Sequence, residues 1–302
     1  MKRYSWFFIV MSVVLIFFGC NKSQKEESKE FKINSSEYKL LLNPEKFENY
    51  TAGFEAYWKI IKEVAEAEGI SVIASENPLK LKHKEVSFFD TPELDLRKAG
   101  YLLRQKVKYK DGQKQAGFEY SVKFRRNKPE DAAAVDLRLA DGYTSKYGDI
   151  ELESDIVYYS VANGGEETTF SVSNSVKLDE QPTMTLAAFS KIYPALGKLG
   201  IPSETILKKV AGISADEWVV APGKLDFGDG LFGRMDMTIW LLETESGLIK
   251  IPEFSFDHAF KKDSPWDEKA MRKCTSFITK LHDAYPGWVV DGELKAAILF
   301  KL

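Results

Sequence analysis

The sequence predicts an α+β fold: many antiparallel strands, able to close into a barrel, with a few covering helices. Three observations point there. Apolar and polar residues alternate with period two in several separate segments, the pattern of strands with two unlike faces. Asp111-Gly112 and Ser246-Gly247 stand between such segments as hairpin turns. Apolar residues recur at three-and-four spacing over two long stretches, Thr51–Glu68 and Asp267–Ala284. Many strands with a few covering helices define the class.

Taken in order, Ser36–Leu42 reads as a short strand ended by Pro44. Thr51–Glu68 is the clearest helix, with Phe54, Tyr57, Trp58, Ile61, Val64 and Ala65 on one face and Gly69 at its C-cap. Lys84–Phe89 is a strand before a Thr91-Pro92 turn. Tyr101–Tyr109 and Phe118–Arg125 form a hairpin, and Ala133–Leu139 and Asp149–Tyr159 continue the strand pattern. Leu186–Val210 reads as helical, broken near Pro194 and Pro202. Met235–Leu242 and Ile249–Phe256 make a second hairpin. Asp267–Ala284 places Met271, Cys274, Phe277, Ile278 and Leu281 on one helix face, and Ala296–Leu299 closes as a strand.

Ahead of this body the N-terminus has the order of an export signal. Lys2 and Arg3 precede Trp6–Phe18, which is apolar apart from Ser12 and too short for a comfortable bilayer span of roughly 20 residues. Phe17-Phe18-Gly19-Cys20 resembles a bacterial lipobox, with Phe17 where leucine is usual. The expected organisation is a signal peptide over 1–19, a lipidated Cys20 with a tether over 20–32, and a folded domain over 33–302. Several acyl chains on Cys20 would anchor the chain stably to a membrane. Asn21–Glu30 has no apolar residue and cannot bury enough surface to fold. The expected location is therefore extracytoplasmic, at a periplasmic or cell-surface membrane.

The chain carries 42 basic and 45 acidic residues; without Lys2 and Arg3 the balance is 40 to 45, a net charge of −5. That argues against a general nucleic-acid surface, since binders of the phosphate backbone are usually strongly basic. An acylated Cys20 leaves Cys274 with no disulfide partner. Gly228–Gly233 spells GxGxxG, but a strand pattern follows it where a phosphate-binding helix should start. His83, His258 and His282 have no metal-ligand spacing, and no Ser or Cys nucleophile has a recognisable partner.

The second face of the strands carries charge. Glu119, Ser121, Lys123 and Arg125 alternate with Phe118, Tyr120, Val122 and Phe124, while Arg104 and Lys106 interleave with Leu103 and Val107. Asp136 and Arg138, Arg234 and Asp236, and Glu253 and Asp257 stand in the same relation to their apolar neighbours. Periodicity alone allows two outcomes. The charged face meets water, as on any half-buried sheet, or it lines a polar barrel interior. In the second case lysines and arginines would hold a multiply charged anion and carboxylates a hard divalent cation.

Phe88–Gly100 (FFDTPELDLRKAG) and Tyr101–Val107 (YLLRQKV) resemble a signature phrase of the CYTH, or triphosphate tunnel metalloenzyme, superfamily. Asp90-Thr91-Pro92, Leu94, Gly100, Leu103-Arg104 and Lys106 fall in register with it. Tyr120–Arg125, Pro252–His258 and Lys295–Phe300 are similar to further strands of that family, and Ser35–Leu42 occupies the place of its E-x-E-x-K signature. The resemblance implies an antiparallel eight-stranded tunnel that handles triphosphates with Mg²⁺ or Mn²⁺. It assigns Lys39, Arg104, Lys106, Lys123, Arg125 and Arg138 to a small polyphosphorylated anion, and Glu37, Glu253 and Glu151 or Glu153 to the metal. Ser35 replaces the first signature glutamate and Asp257 replaces a basic residue, which weakens the metal site and spares the anion site. Three readings remain open: a metal-dependent triphosphatase, a non-catalytic binding barrel, and a surface-interaction lipoprotein.

Overall fold

The computed structural model describes residues 33–148, 150–159, 165–259 and 268–302. The predicted signal peptide, Cys20 and the tether lie outside the described residues. The strands are β1 (Ser35–Leu41), β2 (Ser71–Ala74), β3 (Lys82–Asp90), β4 (Tyr101–Lys110), β5 (Gln113–Lys114), β6 (Phe118–Arg126), β7 (Leu152–Tyr158), β8 (Glu166–Leu178), β9 (Lys208–Lys209), β10 (Ala215–Gly228), β11 (Leu231–Thr244) and β12 (Gly247–Ala259). Nine of them pair in the order β10-β11-β12-β1-β7-β8-β6-β4-β3, and β3 pairs back to β10 from Ala215↔Val86 to Val219↔Lys82. The sheet is thereby a closed barrel.

The predicted α+β barrel with flanking helices is what the chain forms, with one strand more than eight and one pair that is not antiparallel. β1 runs parallel to β7, from Ser35↔Glu153 to Lys39↔Val157. The two differences have one cause: strands in an odd ring cannot alternate direction all the way round, so a parallel pair is forced. The barrel strands that the sequence pattern did not mark are β8 and β10. β8 presents Ser171, Ser173 and Ser175 in a row that carries no strong apolar signal. β10 contains Pro222-Gly223, which reads as a turn; it is a bulge where β10 passes from β3 to β2. Gly223 has φ +145°, and a Cβ there would lie 2.1 Å from the Ile73 carbonyl oxygen, so only glycine fits.

Helices α1 (Tyr50–Ala67) and α5 (Glu268–Ala284) pack their apolar faces on the outside of the barrel. Asn49 caps α1, its side chain accepting from the Ala52 N–H at 3.1 Å. Phe54, Tyr57 and Ile61 of α1 and Cys274, Phe277 and Ile278 of α5 join Met235, Met237, Phe254 and Phe256 of the barrel in one cluster. Cys274 is a free, fully buried thiol. Truncating Phe277, which is fully buried, would cost about 3–5 kcal/mol. Among the described residues no helix is long and apolar enough to cross a membrane.

Four short helices complete the body: α2 (Asp95–Lys98), α3 (Pro129–Ala133), α4 (Leu186–Ser190) and α6 (Lys295–Leu299). Three correct the sequence reading. Ala133–Leu139 is not a strand; Pro129 opens α3 and the chain then runs irregularly, with the Leu137 carbonyl accepting from Asn174 Nδ2 at 2.9 Å. Leu186–Val210 is helical only at α4, at a 3₁₀ turn over Leu196–Lys198 and at Val210, where another such turn begins, and β9 takes Lys208–Lys209. Ala296–Leu299 lies in α6, since so short an apolar run does not distinguish strand from helix. The Gly228–Gly233 glycines belong to the β10–β11 hairpin, whose turn puts Asp229 and Gly230 at φ 53° and 81°.

Candidate functional site

Closure turns the charged face inward and decides between the two readings of periodicity. Tyr38 and Leu40 of β1 face the outer core, while Glu37 and Lys39 point into the barrel. The same alternation brings Arg104 and Lys106 from β4, Lys123 and Arg125 from β6 and Glu253 from β12 to one cavity of about 240 Å³. Lys84, Glu217, Asp236 and Lys295 supply its other charges, so seven basic side chains face four acidic ones. Glu153 borders it through Lys123, at 3.2 Å.

Two of the sequence-predicted residues are elsewhere. Arg138 follows α3 on an irregular surface segment, where it is 81% exposed and forks onto Asp136 at 2.6 Å. Glu151 precedes β7 and is exposed. Alternation and the resemblance point to Arg138 and the resemblance alone to Glu151, but the chain forms no strand at either position.

The lining has two characters. Around Asp155, Lys39 donates to the carboxylate, Lys123 lies 2.9 Å and Arg125 3.0 Å from it, and Ser171 Oγ donates at 3.1 Å. Lys39 also reaches Glu37 at 2.6 Å. Burial alone would raise the Asp155 carboxyl, but Lys123, Lys39 and Arg125 outweigh it and hold it well below the usual range. Burial likewise opposes ionisation of Glu37, and Lys39 reverses the effect.

The Arg104–Lys106 stretch is different. Arg104 Nε donates to Ser121 Oγ at 3.2 Å, and among the described residues neither Arg104 nor Lys106 has a carboxylate within ion-pair distance. Arg104 and burial together push the Lys106 ammonium down to about 7. Lys84 approaches Glu217 only to 3.9 Å. Burial pushes Asp236 up to about 6. Two buried donors on the lining, Arg125 Nε and Trp240 Nε1, have no hydrogen-bond partner, and such orphans call for a water or a ligand.

On the acidic side the predicted metal ligands do not form a set. Glu37 faces Lys39, Glu153 faces Lys123, Glu253 faces Lys295 at 3.0 Å, and Glu151 is outside. Among the described residues no group of three or more His, Cys, Asp and Glu side chains is placed to hold a metal ion. Ser35, two residues before Glu37 on the same face, contributes no charge. The donors present therefore do not fit Mg²⁺ or Mn²⁺, which take hard oxygen ligands.

Sequence reasoning missed Asp155, Lys84, Glu217, Asp236 and Lys295 as site residues. Lys84 and Asp236 lay on predicted strands and were within reach of the alternation argument. Glu217 sits on unpredicted β10. Lys295 was read as the flank of a strand. Asp155 also lay on a predicted strand, two residues from Glu153 and on its face, and its parallel register with Glu37 is what brings it to the site.

No family model and no curated protein matches the chain. Solved structures do align with it. One is a candidate adenylyl cyclase from Hippeastrum described as having a dominant triphosphatase activity: 12% identity over 89% of this chain and 95% of that one, TM-score 0.44. Another is a candidate adenylate cyclase from Bacillus halodurans: 14% identity over 89% and 100%, TM-score 0.40. A protein from Pyrococcus horikoshii aligns at 13% identity over 89% and 99%, TM-score 0.35. Likenesses this loose carry no argument about this chain, and the barrel stands on its own strand pairing.

Proposed function

We propose that this chain is a CYTH-like tunnel protein that binds a compact polyphosphorylated anion, held at an extracytoplasmic membrane surface by a lipid on Cys20. The carrying observation is the Arg104–Lys106 pair: two cations side by side on a cavity lining, neither within ion-pair distance of a carboxylate among the described residues, with Glu217 and Glu119 acting on Lys106 only from further off. An anion with several phosphoryl oxygens satisfies both, arginine by bidentate hydrogen bonds and lysine as a point charge. At about 240 Å³ the cavity is smaller than the roughly 300–1,000 Å³ of drug-sized ligand sites, which favours a bare polyphosphate over a whole nucleotide. Binding without hydrolysis is the reading the acids favour, since Glu37 and Glu253 are both engaged by ammonium groups.

The test is tripolyphosphate added to the full chain in detergent. A ligand that binds only the folded state raises the unfolding temperature by mass action. The shift is expected in wild type and lost in Arg104→Ala, with the ligand-free variant still folded; a shift that survives Arg104→Ala would place the site elsewhere. Phosphate release in the same samples separates a triphosphatase from a receptor. For the anchor, labelled fatty acid fed to a bacterial host should mark the wild type and not Cys20→Ala.

A further inference from the structure

Helix α6 closes one side of the cavity, and Leu294, Lys295 and Ala296 are part of its lining. Lys295 Nζ lies 3.0 Å from Glu253 Oε1, donates to Thr238 Oγ1, and stands 5.2 Å from the centre of the Trp240 ring. The two charged side chains are 12% and 7% exposed. A buried carboxylate needs a partner, and here an ammonium meets it together with a hydroxyl acceptor and an aromatic face. The helix that delivers this lysine is itself fixed. Leu299 is fully buried in a cluster with Val86, Phe88 and Trp240, and Arg97 lies 5.1 Å over the Phe300 ring.

We propose that Lys295 is the tunnel's own cation on Glu253, standing in place of a divalent metal, so that the tunnel takes its polyphosphorylated anion without one. The proposal rests on the reading of the tunnel as a polyphosphate site. A metal bridging protein and phosphate needs at least one free carboxylate. Glu253 and Glu37, the acids of the cavity assigned to that task, each hold an ammonium instead; Glu217 and Asp236 also line it, but among the described residues no group of three or more His, Cys, Asp and Glu side chains is placed to hold an ion. Of the orphan atoms on the lining, Trp240 Nε1 and Arg125 Nε are donors and Glu217 Oε2 is an acceptor. Donors suit phosphate oxygens directly and are useless to a metal.

The experiment is calorimetric titration of tripolyphosphate into the full chain in EDTA and again with Mn²⁺, the metal–ligand blank subtracted, for wild type, Lys295→Arg and Lys295→Met. A direct Mn²⁺ titration of each protein accompanies it. Wild type and Lys295→Arg are expected to bind in EDTA, with affinity changed less than about threefold by Mn²⁺. Lys295→Met should lose roughly tenfold in EDTA, recover with Mn²⁺, and gain a Mn²⁺ site that wild type lacks. Wild-type binding that appears only with Mn²⁺ overturns the proposal and leaves the anion site standing. So does a folded Lys295→Met that matches wild type in EDTA. No wild-type binding under either condition overturns the anion site and the proposal with it. Should Lys295→Met fail to fold by circular dichroism, the metal response of wild type and Lys295→Arg still decides.

Discussion

Around Asp155 three cations share one carboxylate, with Glu37 taking the outer side of Lys39; a short way along the same lining Arg104 and Lys106 stand together with none. Both stretches are built from lysine and arginine at inward positions of neighbouring strands. The difference is whether a neighbouring strand supplies a free acid. β7 does, through Asp155 opposite Glu37 in parallel register. Glu119 of β6 lies opposite Lys106 in register but is taken by Lys146. Where the charges are matched the lining is fixed before any ligand arrives. Where they are unmatched the free protein bears an electrostatic cost that an anion, or loss of the Lys106 proton, relieves. Perturbed groups of this kind mark function more often than paired ones do.

The largest effect should come from breaking the matched half. Asp155→Asn leaves Lys39, Lys123 and Arg125 buried around a neutral amide, a change that typically costs about 3–5 kcal/mol. The midpoint of denaturant unfolding should fall accordingly. Because the carboxyl is depressed in the folded state, the stability it supplies is present above the ordinary aspartate value and lost as pH drops through the folded one. A midpoint unchanged in Asp155→Asn would show that the network is electrostatically idle.

The unmatched half should respond with the opposite sign. The Lys106 ammonium is depressed to about 7 among Arg104, Lys84, Glu217 and Glu119. A lysine depressed by folding destabilises the folded state most below that value, and the penalty fades as pH rises toward the ordinary lysine range. Lys106→Met should therefore unfold a few degrees higher than wild type at about pH 6, with a smaller gain at about pH 9, while losing tripolyphosphate binding. In wild type that binding should weaken as pH rises through about 7, because the bound form needs the proton. Equal gains at both pH values, or binding flat across that range, would mean Lys106 carries no unrelieved charge.

How far the sequence exposed this arrangement depended on which force wrote each residue. Period two marked Arg104, Lys106, Lys123, Arg125 and Glu253 as inner-face candidates, the resemblance added Glu37 and Lys39, and closure put them together. The segment most like the CYTH signature proved to be mainly architecture. Asp90 accepts from the N–H groups of Thr91, Leu96 and Arg97, Thr91 caps Asp95, and Gly100, at φ +91°, leaves room for the Arg126 guanidinium. It shapes the β3–β4 connection, and only Arg104 and Lys106 beyond it reach the cavity. Arg138 lies outside because alternation does not hold where the chain forms no strand, and Glu151, carried over from the resemblance, falls one residue before β7. Lys295 was illegible because nothing local tells a residue at the start of a short helix which distant strand it will meet.

The smallest effect should come from Ser35, where the acid missing from the E-x-E-x-K place can be restored. Ser35 points as Glu37 and Lys39 do and is paired across the parallel register with Glu153, while Glu37 is paired with Asp257. Each of those acids already has a cation: Lys39, Lys123 and Arg234 respectively. A carboxylate added by Ser35→Glu would be the first at that place without one. It should attract Mn²⁺ weakly, on the order of 10⁻⁴–10⁻³ M as in sites with few committed ligands, and Glu37→Gln in the same background should abolish it. Tripolyphosphate affinity should change less than about threefold, because Arg104 and Lys106 are untouched. Electron paramagnetic resonance of free Mn²⁺ gives the first quantity and calorimetry the second. Tight Mn²⁺ binding by the wild type would show that the ammonium partners of Glu37 and Glu153 yield to a metal, and that the matched half of the tunnel is less settled than its ion pairs indicate.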